Sequence, residues 1–168
     1  MLVPNEAMAG TSLRYALVAR RLFPLLVRQR GELTLKGVVI SIIDDNPSIR
    51  MALKRLIESI GLPAEDFASA EEFLVSCRSQ DSACLILDLQ LPGMSGLELQ
   101  SHLQVSNPGV PIVFISARFD EQVRARALRT GAIEFLQKPF SEEALFRAIK
   151  SSLSIHGSSA SAYFDHAG

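Results

Sequence analysis

Five polar side chains stand at or just beyond the ends of short apolar runs: Asp44 and Asp45 after VVISII, Asp88 after CLIL, Ser116 after IVFI, and Lys138 just past IEFL. If those runs are neighbouring strands, three carboxylates, a hydroxyl and an amine converge on one rim. Two carboxylates about 5 Å apart repel by roughly 3 kcal/mol at an effective dielectric near 20, so three of them call for a counter-charge. Mg²⁺ suits this set, because it takes hard oxygen ligands and keeps waters that a phosphate can replace. No activated nucleophile other than a carboxylate is evident, which points to phosphoryl transfer onto an Asp. Taken singly, each residue has a blander role: the Asp pair before Pro47 as helix-capping acids, Ser116 as a strand-end hydroxyl, Lys138 as a solvated charge. Their equivalent placement is what raises them together.

The elements that must position them follow from periodicity. Val38 to Ile43 reads as a strand covered on both faces, as in a parallel sheet. Asn46 with Pro47 opens a helix whose Ile49, Leu53, Leu56, Ile57 and Ile60 form one stripe, ended by Gly61. A strand near Ala64 to Ala68 precedes a helix opened by Ser69 and Glu72, with Phe73, Leu74 and Cys77 on its apolar side. The strand Cys84 to Leu87 ends in Asp88, and a turn containing Pro92, Gly93 and Gly96 leads to a helix over about 97–104. Strand 112–115, helix 120–130, strand 133–136 and a last helix capped by Ser141 complete the series, with Ala144, Leu145, Ala148, Ile149 and Leu153 as its buried stripe. Five strands alternating with five helices predict a doubly wound α/β sandwich, whose ligands bind beyond the carboxyl ends of the strands.

Composition agrees with a globular chain of 168 residues, 48% hydrophobic and 21% charged. The net charge of −1 conceals an asymmetry: residues 1–36 carry six basic and two acidic side chains, and the remainder is acidic. Neither part has the dense basic field of a nucleic-acid binder. Two cysteines, Cys77 and Cys84, are too few for a disulfide scaffold and read as buried small residues of a protein in a reducing compartment. No apolar stretch is long enough to span a membrane, so a cytoplasmic location is expected.

The sequence resembles the receiver domain of two-component response regulators over 37–154. The resemblance is carried by the acid pair in IIDDNPSIR, by LILDLQLPGMSGLEL, by VFISA and by GAIEFLQKPF. The wording is most similar to receivers of the FixJ and NtrC kind. It implies a (βα)5 flavodoxin-like, CheY-like sandwich with five parallel strands in the order 2-1-3-4-5. Asp88 would be the phosphoacceptor, taking a phosphoryl group from the phosphohistidine of a kinase or histidine phosphotransfer protein. Asp45, Asp88 and the backbone carbonyl of Gln90 would hold Mg²⁺, for which Mn²⁺ could substitute, with Asp44 acting through water. Lys138 would pair with the acyl phosphate. Ser116 and the switch aromatic Phe135 would move together on activation, although an aromatic in a strand is more often plain core. Lys138-Pro139 would be a cis peptide. Such a protein is not an enzyme in the ordinary sense, since it catalyses only its own phosphorylation and dephosphorylation.

Residues 1–36 read as a basic extension, disordered or outside the natural start, and 155–168 as a flexible tail. The expectation is therefore a stand-alone receiver that docks a downstream protein and contacts no nucleic acid. The fourth helix, fifth strand and fifth helix offer a homodimer face. Two alternatives stay open: a receiver-shaped binding scaffold indifferent to phosphorylation, and a Mg²⁺-dependent phosphatase with an Asp nucleophile. The second is disfavoured because the acid pair and Asp88 belong to separate strands.

Overall fold

The apolar runs form strands because both of their faces are covered. In the computed structural model, which describes residues 38–157, the strands are β1 (Val39–Ile43), β2 (Ala64–Phe67), β3 (Ser82–Asp88), β4 (Ile112–Ser116) and β5 (Glu134–Gln137). All pair in parallel in the order β2-β1-β3-β4-β5, as the resemblance implied. The helices between them are α1 (Pro47–Ser59), α2 (Ala70–Val75), α3 (Gly96–Ser106), α4 (Glu121–Arg129) and α5 (Glu142–Gly157), and one extra helical turn (Arg78–Asp81) precedes β3. Among the described residues no helix is long and apolar enough to cross a membrane. The expected basic extension 1–36 lies outside the described residues. So does most of the expected tail, into whose first residues α5 continues.

Period-2 alternation divides β3 between two cores. Leu85 and Leu87 pack with Phe73, Leu99, Leu103 and Phe114 beneath α2, α3 and α4, whereas Cys84 and Ile86 pack with Leu53, Ile57, Leu145 and Ile149 beneath α1 and α5. Parallel strands with right-handed crossovers bring every strand's carboxyl end to the same edge, which is where the polar residues stand.

The helix starts are set locally. The Asn46 side chain accepts from Ser48 and Ile49 N–H, with Pro47 in the first turn. Asp120 caps α4 in the same manner. Ser69 accepts from Glu72 N–H, but the Glu72 carboxylate reaches Ala68 N–H, one residue before the position a closed capping box needs. The complete box is at α3, where Ser95 and Glu98 bond each other's backbone N–H, a pattern obscured in the sequence by the neighbouring turn residues. Cys77 differs from expectation: α2 stops at Val75, and Cys77 is exposed in the following turn, while Cys84 is buried. Gln100, 3% exposed, was invisible to hydropathy. Its Nε2 donates to the Ala127 and Thr130 carbonyls and its Oε1 accepts from Thr130 Oγ1, which satisfies the end of α4 from α3.

Gly96 marks the tightest approach. A Cβ there would lie 2.5 Å from the Asp88 carbonyl and 3.1 Å from both Leu89 Cα and the Phe114 ring. We predict that Gly96→Ala destabilises the fold by about 1–3 kcal/mol through overpacking. Gly109→Ala, with nothing within 4 Å, changes stability by no more than about 0.5 kcal/mol. Urea midpoints of the two variants check this, and equal midpoints would contradict it.

Candidate functional site

Two acids at the ends of adjacent strands are held by the same device. After β1, Asp44 Oδ1 accepts the N–H of Asn46 at 2.8 Å, and at the end of β3, Asp88 Oδ1 accepts the N–H of Gln90 at 2.9 Å. Each is an Asx-type turn, in which a carboxylate bonds the backbone two residues on. The other oxygen of each faces Lys138, whose Nζ donates to Asp44 Oδ2 at 2.7 Å and to Asp88 Oδ2 at 2.8 Å. Lys138 follows β5 at the far side of the sheet. Its N–H bonds the Ser116 carbonyl at 2.7 Å and its peptide to Pro139 is cis. Asp44 is fully buried and Asp88 is 7% exposed.

Asp45 completes a rim of three carboxylates. It is exposed, and one oxygen from each of Asp44, Asp45 and Asp88 lies within 4.8 Å of the others. Burial pushes the Asp88 carboxyl above the ordinary carboxylate range even though Lys138 and the Gln90 N–H pull it down, and Asp44 adds repulsion. For Lys138 burial acts to lower the pKa, but its hydrogen bonds to both carboxylates, and their charge, outweigh it and the value is raised. One ammonium therefore serves two buried acids while a third stands at the mouth. The donor set is entirely hard oxygen, which fits a divalent cation such as Mg²⁺.

A family model for the response regulator receiver domain matches residues 40–150, and this segment contains every one of these groups. The chain belongs to the response regulator receiver family. It is 42% identical over 120 residues to the response regulator protein TodT of Pseudomonas putida, covering 71% of this chain and 53% of that protein. Nodulation protein W of Bradyrhizobium diazoefficiens is 39% identical over 111 residues, or 66% and 49% of the two chains. The chain thus spans about half the length of the curated relatives it matches. Among solved structures, the response regulator StyR superposes with a TM-score of 0.68 at 42% identity, covering 76% of this chain and 64% of that one. FixJ-N does so at 0.64 and 28%, covering 70% and 94%.

The receiver's remaining candidates are placed less uniformly. Ser116 is fully buried at the end of β4, but its hydroxyl is engaged in its own loop, donating to the Arg118 carbonyl at 2.9 Å and accepting the Arg118 N–H at 3.2 Å. Phe135 is buried on β5, with its ring 6.3 Å from that of Phe114. Gln90 contributes its N–H to Asp88, and its side chain is exposed.

Sequence reasoning missed Arg50. From α1 its Nη1 donates to the Asp44 carbonyl at 2.7 Å, and its Nε lies 3.4 Å from Asp66 on β2. Lys54, one helical turn on, bonds Asp66 at 2.8 Å. The Lys54 hydrogen bond, with Arg50 behind it, holds the Asp66 carboxyl below the usual range. Two basic residues four apart on one helix face, opposite an acid on an edge strand, were the available signal.

Because the native pKa of Asp88 is raised, the folded state holds a proton that the unfolded chain releases just above 3.8. Ionisation of Asp88 therefore costs stability as pH rises through that window, and the cost persists at neutral pH. Asp88→Asn is predicted to melt higher than the wild type in metal-free buffer at pH 7. For Lys138 the sign is opposite: its contribution is complete below 10.5 and is lost as pH rises through its higher native pKa. Lys138→Ala leaves two buried acids unpaired and is predicted to lose about 3–5 kcal/mol in the same buffer. Thermal melts of the two variants moving in the same direction would contradict this electrostatic reading.

Proposed function

We propose that this receiver, over 37–154, accepts a phosphoryl group on Asp88 from a phosphohistidine of a histidine kinase or phosphotransfer protein, and that the resulting aspartyl phosphate switches binding of a downstream protein. The observation that carries the reading is the double hydrogen bond of Lys138 to Asp44 and Asp88, which makes one amine available to the oxygens of both the acid and its phosphorylated form. In the transfer, a carboxylate oxygen of Asp88 forms the new P–O bond while the P–N bond of the donor breaks. The leaving imidazole keeps the bonding electron pair and takes up a proton.

Asp45, Asp88 and the carbonyl of Gln90 would hold Mg²⁺ or Mn²⁺, with Asp44 acting through water. When bound, the cation offsets the charge of the rim and of the incoming phosphoryl oxygens. Phosphorylation adds a charge near −2. Lys138 then exchanges Asp88 Oδ2 for a phosphoryl oxygen, and the Ser116 hydroxyl leaves Arg118 to donate to another. That exchange frees the loop between β4 and α4, and Phe135 repacks beside Phe114 in concert. Two conformations that differ in these contacts are what a partner can distinguish. On this reading the protein acts in the cytoplasm as a signalling protein rather than an enzyme of turnover. Its α4, β5 and α5 face is the candidate surface for a second copy.

Incubation with acetyl phosphate and Mg²⁺, followed by intact-protein mass spectrometry, is expected to show one added phosphoryl group. Asp88→Asn should show none, and a chelator should abolish the adduct on the wild type. An adduct that survives Asp88→Asn would sink the assignment. Multiple turnover on phosphate esters would favour the phosphatase alternative.

A further inference from the structure

The loop from Leu89 to Ser95 carries the backbone that caps Asp88, and its two ends are anchored differently from its tip. At its base, Leu89 N–H bonds the Ile115 carbonyl and Gly96 N–H bonds the Leu89 carbonyl. Leu91 is buried in the core beneath α2 and α3. The tip, Pro92 and Gly93, is exposed and has no such support from its own sequence. It meets α2 instead, through Glu71. Oε1 of Glu71 accepts the Met94 N–H at 2.8 Å, and a Cβ on Gly93 would lie 2.6 Å from the same oxygen. Gly93 has φ +77°, a left-handed backbone that favours glycine, and its lack of a Cβ leaves open the space the Glu71 carboxylate occupies. Glu71 is presented from a fixed base, since the start of α2 is held by the Ser69–Glu72 and Ala68–Glu72 hydrogen bonds and by the buried side chains of Ala70 and Phe73.

We propose that Glu71 is a positioning residue: by holding Gly93 and Met94 it fixes the loop that sets the Gln90 backbone at the rim, so that the divalent-cation site is formed before the cation arrives. This rests on the functional reading given above and extends it to a residue that touches neither cation nor phosphoryl group. The Met94 hydrogen bond also keeps the Glu71 carboxyl below its ordinary range. Organising a loop in advance removes an ordering cost that binding would otherwise bear.

Glu71 is exposed, so its truncation leaves no cavity. In metal-free protein, Glu71→Ala is expected to speed hydrogen exchange at the Met94 amide while amides of β1 and β3 stay protected. By calorimetric titration with MgCl₂, the same variant should bind Mg²⁺ about tenfold more weakly, the lower end of what loss of a supporting contact costs a metal site. Phosphorylation by acetyl phosphate should then slow at subsaturating Mg²⁺ and recover at saturating Mg²⁺. Glu71→Gln keeps an acceptor at Oε1 and should restore most of the affinity. Glu71→Ala binding Mg²⁺ as tightly as the wild type would overturn the proposal, as would Glu71→Gln failing as badly as Glu71→Ala, which would assign the effect to charge. A wild type that neither binds Mg²⁺ nor takes a phosphoryl group would bring down the functional reading as well, an outcome distinct from a failure of Glu71 alone.

Discussion

One ammonium group shared between two buried carboxylates organises the carboxyl-end rim of this sheet. Lys138 reaches across from the end of β5 to Asp44 and Asp88, which follow β1 and β3. Removing ionised acids from water is costly, and it is tolerated here because each oxygen pair is divided between a backbone N–H and Lys138. The compensation is incomplete at Asp88, where burial outweighs Lys138 and the Gln90 N–H and holds the carboxyl above its ordinary range. On the proposed function, a site short of positive charge in its resting form is one that a divalent cation, and then a phosphoryl group with its cation, would enter with a gain. That shortage would prepare the site for its chemistry.

The scaffold serves this arrangement by making strand ends coincide and by fixing the loops that follow them. The backbone of Asp44 is gripped by Arg50 from α1, which is itself braced against Asp66 on β2. The loop after Asp88 is fixed at its base by the close packing of Gly96 and at its tip by Glu71. The loop after Ser116 is of another kind, latched by hydrogen bonds between the Ser116 hydroxyl and the Arg118 backbone. Hydrogen bonds of that sort contribute roughly 0.5–1.5 kcal/mol each, small enough for a phosphoryl oxygen to replace. On the proposed function, firm supports under the acids and a weakly latched hydroxyl beside them are what the switch would require.

Local signals made most of the fold legible in the sequence. Continuous apolar runs ending in acids located β1 and β3, and Asn46-Pro47 located α1. The rim residues could be read because strand order brings chain-distant ends together, a rule of topology rather than of local composition. What stayed hidden depends on which way a side chain turns. Gln100 is polar and yet buried, because it satisfies carbonyls at the end of α4 that no sequence window contains. Cys77 falls on the apolar side by helical spacing, yet α2 stops at Val75 and leaves it exposed. The Ser116 hydroxyl faces Arg118, a choice between partners that spacing cannot decide. Arg50 and Glu71 act on backbone groups 6 and 23 residues away, beyond any periodicity.

On the proposed function, Asp88 is held short of compensating charge until a divalent cation completes the site. Carboxyl-carbon NMR titration of Asp88, with and without Mg²⁺, measures this directly. A midpoint above the ordinary 3.8 is expected in metal-free protein and a midpoint below it once Mg²⁺ is bound. A midpoint at or below 3.8 in the metal-free protein, unmoved by Mg²⁺, would contradict it.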